Sequence, residues 1–423
     1  MCSVTEVSLY TRFSDGMKLV MAATTSSQKP LRESDLAGWS LLERFLAVLD
    51  SCQGQNPPGK RECHGLRTLE RRSYLGLFLL GLFNPVVTSM RGLCAATQLP
   101  RVRSLIGRDN PVGLSRFSDA QHVFSPDILR PVWRRLLEQS ALREVIGTKF
   151  GARLTPALIR IVDSTVWKVV PRMRWAHWRG LRGQQQKAVR LHVKLRLADL
   201  QPDTATVTSG KRCERAVMRE HLAAGEFYIG DRYYGEDYAL FEQLQQRGCG
   251  FLIRLRNEAV IHVIEPHTIN AEAAAQGVRL DAQVELGCQK RRGPWRVVTF
   301  QKPGMKQEII VVTSEPAETL SALEIVELYR HRWQVEMFFR WLKCLVPCRH
   351  WLAQSQQGVT LQVYLALIEA LLLAELTGRK PGRRLMELCQ WHAQGWASDA
   401  DLAAGIQREQ RKQARLSAKQ KEA

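Results

Sequence analysis

The sequence predicts a mixed α/β catalytic domain that carries a β-rich insertion and follows a helical N-terminal region. Apolar residues recur with helical spacing up to about residue 150, and from about residue 154 they alternate with polar residues. A β-rich stretch then covers residues 257–312 and precedes a late helical segment. Such a change of period along one chain is typical of helices packed on a mixed sheet. The length of 423 residues leaves room for more than one domain.

The helical region is predicted over residues 32–150. Apolar spacing indicates helices over 36–49 and 74–83, and a further helix that opens at Ser125. Between them, Met90–Ala96 and Arg101–Ile106 form two short helical segments with a break at Gln98–Pro100. This is the outline of a helix-turn-helix, in which Arg101 and Arg103 would face outward and contact DNA.

The sheet-forming part begins near residue 154. Its predicted order is strand (158–169), strand (189–197), strand (205–208), helix (213–224), strand (227–230), helix (237–246) and strand (250–255). Four short β segments follow, and then one long helix over 321–345 and an apolar buried helix over 359–376. We therefore divide the chain into an extension expected to be disordered (1–31), the helical region (32–150), a core's first part (151–256), the insertion (257–320), the core's second part (321–376) and a basic C-terminal region suited to dimerisation (377–423).

Charge is the first indication of function. Lys and Arg number 61 against 41 Asp and Glu, which gives a formal net charge of +20. Such an excess favours a polyanionic partner, most commonly nucleic acid, over a role in solubility alone. The ten cysteines are irregularly spaced and predict free thiols in a reducing compartment. Cys344, Cys348 and His350 resemble half of a zinc site that has no second half. We find no targeting segment and expect a cytoplasmic, nucleoid-associated protein without membrane contact.

Three acidic residues stand out by their position. Asp163 follows the apolar run Ile159–Val162, Asp231 follows Phe227–Gly230, and Glu336 lies inside the predicted long helix. A carboxylate at the end of a buried strand is costly unless it is paired or binds a metal. Two such Asp residues and a helical Glu are the ligands that two-metal phosphoryl transfer requires, with ions about 3.5–4 Å apart.

The predicted long helix carries an unusual polar stripe. Tyr329, Arg332, Glu336 and Lys343 lie at offsets of 0, 3, 7 and 14 residues, so a continuous helix would place them on one face. Arg340 lies close to this stripe. A phenol and cations around a single acid suit a site that faces both metal and phosphates, with Glu336 on the metal and the basic residues on DNA. The alternative is a solvated face with an Arg332–Glu336 pair.

The stripe resembles the Tyr-x2-Arg-x3-Glu-x6-Lys signature of insertion-sequence family four transposases. The contexts Asp163-Ser164-Thr165 and Gly230-Asp231-Arg232 resemble the family's two catalytic aspartates. The resemblance covers roughly residues 75–376 and implies a ribonuclease H-like catalytic domain with a β-rich insertion. It also implies cut-and-paste cleavage of terminal inverted repeats through a DNA hairpin, strand transfer into target DNA, and a homodimer assembled on the DNA ends. The implied cofactor is a pair of Mg²⁺ ions, with Mn²⁺ as a substitute.

A basic stretch adjoins the first aspartate. Nine Lys and Arg residues, and no acid, lie between residues 164 and 198, with three tryptophans among them. Cations interleaved with aromatic rings suit a phosphate backbone and an unstacked base; a solvated loop is the alternative. The candidate DNA contacts here are Lys168, Arg172, Arg174, Arg179 and Arg182. Trp295, in a Gly-Pro-Trp segment predicted as a turn, is a further candidate for holding a displaced base.

Two other functions fit the same residues. A DNA-binding regulator that has lost catalysis would use the helix-turn-helix, although the intact acids weigh against it. A nuclease of the same fold would cleave DNA without strand transfer. Terminal inverted repeats flanking the gene would favour the transposase over both.

Overall fold

The chain was analysed as a computed structural model. The structure describes residues 39–84, 87, 89–139, 150, 154–169, 173–179, 185–302, 304–305, 307–345, 351–377, 382–393 and 396–422. The predicted disordered extension (1–31), Arg172, Arg182, Cys348 and His350 lie outside the described residues, as do the side chains of Arg179 and Cys344.

Helices make up most of the N-terminal and C-terminal parts of the described chain. They are α1 (Trp39–Ser51), α2 (Arg71–Phe83), α3 (Met90–Ala96), α4 (Pro100–Leu105), α5 (Leu114–Ala120), α6 (Leu129–Gln139), α7 (Glu214–Glu220), α8 (Tyr238–Gln246), α9 (Ala271–Ala275), α10 (Ala322–Arg330), α11 (Trp333–Leu345), α12 (Gln356–Thr377), α13 (Arg383–Ala393) and α14 (Asp399–Glu422). The two short helices α3 and α4 lie where the helix-turn-helix outline was predicted.

The strands occupy the middle of the chain in the predicted order. They are β1 (Ile159–Lys168), β2 (His177–Arg179), β3 (Gln185–Arg196), β4 (Gln201–Ser209), β5 (Phe227–Gly230), β6 (Gly250–Arg254), β7 (Ile261–Pro266), β8 (Val278–Leu286), β9 (Arg292–Phe300) and β10 (Ile309–Thr313). The short strand β2 and the helix α9 were not predicted, whereas β5 has the predicted bounds.

These strands form one mixed sheet in the order β2-β3-β1-β5-β6-β10-β9-β8-β7, with β4 also paired to β3. Strands β1, β3 and β4 are antiparallel, while β5 and β6 run parallel to β1. The predicted insertion joins the same sheet, because β10 pairs with β6 on one side and β9 on the other. A mixed α/β architecture with a large mixed sheet is therefore confirmed.

Helix α12 joins the helical part to the sheet. It contacts α1, α2 and α6 on one side and β4 on the other, and the side chains of Leu365 and Leu372 are buried. By length and composition its apolar segment could cross a membrane, yet most of that segment is buried within the protein. The segment is accordingly a core helix, as the sequence predicted.

The predicted continuous helix over 321–345 is wrong. The structure has two helices, α10 and α11, which are interrupted at His331 and Arg332. The backbone tightens here, since the Arg332 N–H donates to the Tyr329 carbonyl at 3.1 Å and the Gln334 N–H donates to the His331 carbonyl at 2.9 Å. Backbone hydrogen bonds that span three residues instead of four end α10 before α11 begins. Neither Gly nor Pro marks this break in the sequence.

Candidate active site

Two neighbouring strands bring the predicted aspartates together. The parallel pairing of β1 with β5 ends at Ile161 opposite Ile229, so extending this register by two residues places Asp163 beside Asp231. Asp163 is the fifth residue of the ten-residue strand β1 and pairs with Val193 on its other side. The expectation that Asp163 ends its strand is therefore wrong, because β1 continues along β3 after β5 has stopped.

The charges around Asp163 are strongly coupled. Burial, followed by the charge of Asp231, raises the pKa of Asp163 to about 7. The Ser164 N–H donates to Asp163 Oδ1 at 2.7 Å and opposes this rise, as does the more distant Arg332. A carboxyl group whose pKa is raised this far by burial and by a neighbouring carboxylate is characteristic of a functional site.

The break between α10 and α11 divides the predicted stripe. Tyr329 ends up on α10, Arg332 in the turn, and Glu336 on α11, which packs against β1. Arg332 Nη2 donates to Glu336 Oε1 at 2.5 Å, and Asp163 contributes to the raised pKa of Arg332. The Arg332–Glu336 pair is the one that the sequence offered as the alternative to a metal ligand.

Tyr329 is too buried to contact DNA directly. Its side chain is 6% exposed, and its hydroxyl has no hydrogen-bond partner among the described residues. Burial raises the pKa of Tyr329 to about 12, so the phenol stays protonated. Lys343 and Arg340, further along α11, are both exposed. Trp333, the first residue of α11, is 52% exposed.

Two of the three predicted acids are suited to binding a divalent cation, and the third is engaged with another residue. Asp163 and Asp231 are hard oxygen donors whose mutual repulsion a cation would relieve. However, the described residues contain no group of three or more His, Cys, Asp or Glu side chains arranged as a metal site. Glu336 is engaged with Arg332, so it would have to exchange this partner to join the two aspartates.

A fourth acid, Glu214, was missed by the sequence analysis. It is the first residue of α7 and forms an ion pair with Arg190 of β3. Its charge raises the pKa of Asp163, and both residues line a cavity of about 30 Å³ beneath α7. A Glu at the start of a helix is common as a partner for the helix dipole, so the sequence carried no distinctive signal.

The basic stretch is divided between surface and interior. Lys168 and Arg174 are exposed and stay candidates for DNA contact. Lys194 is buried in ion pairs with Asp203 and Glu226, and Arg196 pairs with Asp199. The stretch itself contains no acid, but Asp199 follows it directly, and the fold supplies further acids from β4, α7 and the loop before β5.

Two candidate DNA contacts are corrected by their surroundings. Trp295 is only 2% exposed, lies within strand β9 instead of a turn, and donates from Nε1 to Gln245 Oε1 at 2.9 Å. Its ring packs edge-on against Phe241, so it offers no free face to a displaced base. Arg103 Nη1 donates to the carbonyls of Thr97 and Gln98 at 2.9 and 2.7 Å and so caps α3. Arg101 is exposed on α4.

Comparison with known proteins identifies the family. The sequence pattern described as "Transposase DDE domain" matches residues 155–372, just over half of the chain. The matched range contains β1 through most of α12, including Asp163, Asp231 and Glu336. The chain therefore belongs to the Transposase DDE domain family.

Curated relatives agree with this assignment. The chain is 29% identical over 222 residues to a probable transposase for insertion sequence element IS5377 of Geobacillus stearothermophilus, covering 52% of this chain and 56% of that protein. It is 27% identical over 265 residues to putative transposase y4zB of Sinorhizobium fredii, covering 59% of this chain and 72% of the relative. The chain thus matches little more than half of the first relative's length.

Among solved structures, the piggyBac transposase synaptic complex with hairpin DNA has a TM-score of 0.34 at 9% identity, over 88% of this chain and 82% of that chain. A similarity this low supports no conclusion about fold or function.

Proposed function

We propose that this chain is the transposase of an insertion sequence and cuts DNA at the element's ends. The observation that carries the proposal is the juxtaposition of Asp163 and Asp231 beside α11, within the range matched by the family. The net charge of +20 suits a DNA substrate. The strand order β4-β3-β1-β5-β6, with the last two strands parallel to β1, supports a ribonuclease H-like catalytic domain.

In the proposed chemistry, Asp163, Asp231 and Glu336 hold two divalent cations, Mg²⁺ or Mn²⁺ in its place. When bound, these ions lower the pKa of water and neutralise charge that develops on a phosphate. Arg332 and Lys343 bind the phosphates of the cleaved strand. Tyr329, which is buried beside Arg332, orients this turn and does not itself take part in proton transfer.

The proposed reaction order is cut-and-paste. Water first nicks one strand at the element's end, and the freed 3′-hydroxyl attacks the opposite strand to close a hairpin. A second water reopens the hairpin, and the 3′-hydroxyl then joins target DNA. We further propose that α3 and α4 help to recognise the terminal repeats, that two copies assemble on the paired ends, and that the protein acts on DNA of the nucleoid.

The test is Asp163→Asn with a supercoiled donor plasmid and Mg²⁺. We expect cleavage to disappear, because the amide is a poorer cation ligand than a carboxylate, while DNA binding persists. Glu220→Gln is a matched control at the exposed last residue of α7, where Glu220 pairs with Arg212. Cleavage by Asp163→Asn at nearly the wild-type rate would falsify the assignment, and nicking by the wild type without strand transfer would indicate a nuclease instead.

A further inference from the structure

Glu214 and Arg190 lie outside the four-residue signature, yet they contact the strand that carries Asp163. Arg190 lies on β3 two residues from His192, which is the cross-strand partner of Ser164. A long side chain spans such a diagonal, and Arg190 Nη1 donates to Ser164 Oγ at 3.2 Å. The same Nη1 donates to Oε1 of Glu214 on α7. One guanidinium therefore ties together β3, β1 and α7.

This ion pair is largely withdrawn from solvent. The side chains of Arg190 and Glu214 are 17% and 14% exposed. Removing either partner would leave a charge that is poorly solvated, so the two depend on each other. Burial raises the pKa of Glu214, while Arg190 and a hydrogen bond with Ser164 oppose the rise. An ion pair of this kind holds its attachments in place better than one between mobile surface side chains.

The attachment point, Ser164, in turn holds the catalytic carboxylate. Even-numbered residues of β1 direct their backbone groups toward β5, as shown by the bond from the Phe227 N–H to the Leu158 carbonyl. The β1–β5 pairing ends at Ile161, so the Ser164 N–H lies beyond the ladder. It donates instead to Asp163 Oδ1 at 2.7 Å.

We propose that Glu214 and Arg190 are positioning residues of the active site. They fix Ser164 by its hydroxyl, and the Ser164 amide fixes the Asp163 carboxylate in the orientation that a divalent cation requires. Because Glu214 is engaged with Arg190 and Ser164, it acts through these two residues and not as a further ligand. The proposal rests on the proposed function, since it assigns these residues to the same site.

The test compares Glu214→Gln with Glu220→Gln, a change on the same helix at an exposed pair. The first measurement is the amide resonance of Ser164 in metal-free protein labelled with ¹⁵N-serine. We expect it to move in Glu214→Gln and to stay in place in Glu220→Gln. The second is plasmid cleavage across a range of Mg²⁺ concentrations. The half-saturating concentration should rise about tenfold in Glu214→Gln, which is typical when a partner of a metal ligand is lost, with DNA affinity unchanged.

Arg190→Lys provides a second variant if Glu214→Gln does not fold. It keeps the charge, but its ammonium cannot take the position from which Nη1 of the planar guanidinium reaches both partners, so both measurements should change in the same direction. An unmoved Ser164 resonance, or an unchanged Mg²⁺ dependence, in the folded variant would overturn the proposal. If the wild type itself cleaves no DNA, the proposed function fails, and the Ser164 resonance still decides whether Glu214 and Arg190 hold Ser164.

Discussion

The roles proposed for Arg332 and Glu336, at the turn between α10 and α11, can be separated by measurement. Arg332 pairs with Glu336, and their side chains are 19% and 35% exposed. If Arg332 binds a phosphate and Glu336 a cation, their neutralisation should have opposite effects on DNA affinity. Arg332→Ala removes a positive charge from the DNA-facing surface. Glu336→Gln removes a negative one and also frees Arg332 from its partner.

The expected magnitude follows from counterion release. Each phosphate contact contributes a slope of about 0.9 to the dependence of log affinity on log salt. The affinity ratio between wild type and Arg332→Ala should therefore shrink about 3.5-fold when salt rises from about 50 to about 200 mM. Glu336→Gln should bind DNA as tightly as the wild type or more tightly, while its cleavage disappears.

The assay is a pair of titrations, binding of an end-sequence duplex and cleavage of the donor plasmid, at several salt concentrations. Arg330→Ala is the matched control, because Arg330 is a neighbouring arginine whose side chain is 63% exposed and paired with Glu327. If Glu336→Gln loses DNA affinity as badly as Arg332→Ala does, Glu336 is a structural partner of Arg332. The metal-ligand role of α11 would then be refuted.

Two further predictions concern the interior. Burial raises the pKa of Glu369 on α12 from 4.5 to about 8. Folding therefore favours its protonated form, and the free energy of unfolding should fall by up to about 5 kcal/mol as pH rises through this range. In denaturant unfolding between pH 5 and 8.5, the free energy should depend less on pH for Glu369→Gln but not for Glu375→Gln, whose carboxylate pairs with Arg44 near the surface. Trp295→Ala should lower the free energy of unfolding by about 3–5 kcal/mol, whereas Trp295→Phe should still form DNA hairpins. If Trp295→Phe lost hairpin formation at unchanged stability, Trp295 would again be a candidate for holding a displaced base.

The sequence by itself determined the class of fold and the family. The order of strands and helices along the chain follows from local patterns of apolar residues, and the bounds of β5 follow from the short run Phe227–Gly230. Net charge and the spacing of Tyr329, Arg332, Glu336 and Lys343 are likewise properties of the sequence. These features indicated a transposase before any contact was known.

The tertiary structure decided which side chains face solvent and which face each other. Trp295 looked like a DNA contact because the sequence shows residue type but not burial, and its neighbours Phe241 and Gln245 lie on α8, far from it along the chain. Glu214 was missed for the same reason, since only the crossing of α7 over β3 brings it to Arg190. The break at Arg332 depends on hydrogen bonds that tighten without Gly or Pro, so local propensity could not reveal it. The packing of α11 against β1, which brings Glu336 to the strand of Asp163, is a long-range contact that the spacing of apolar residues does not encode.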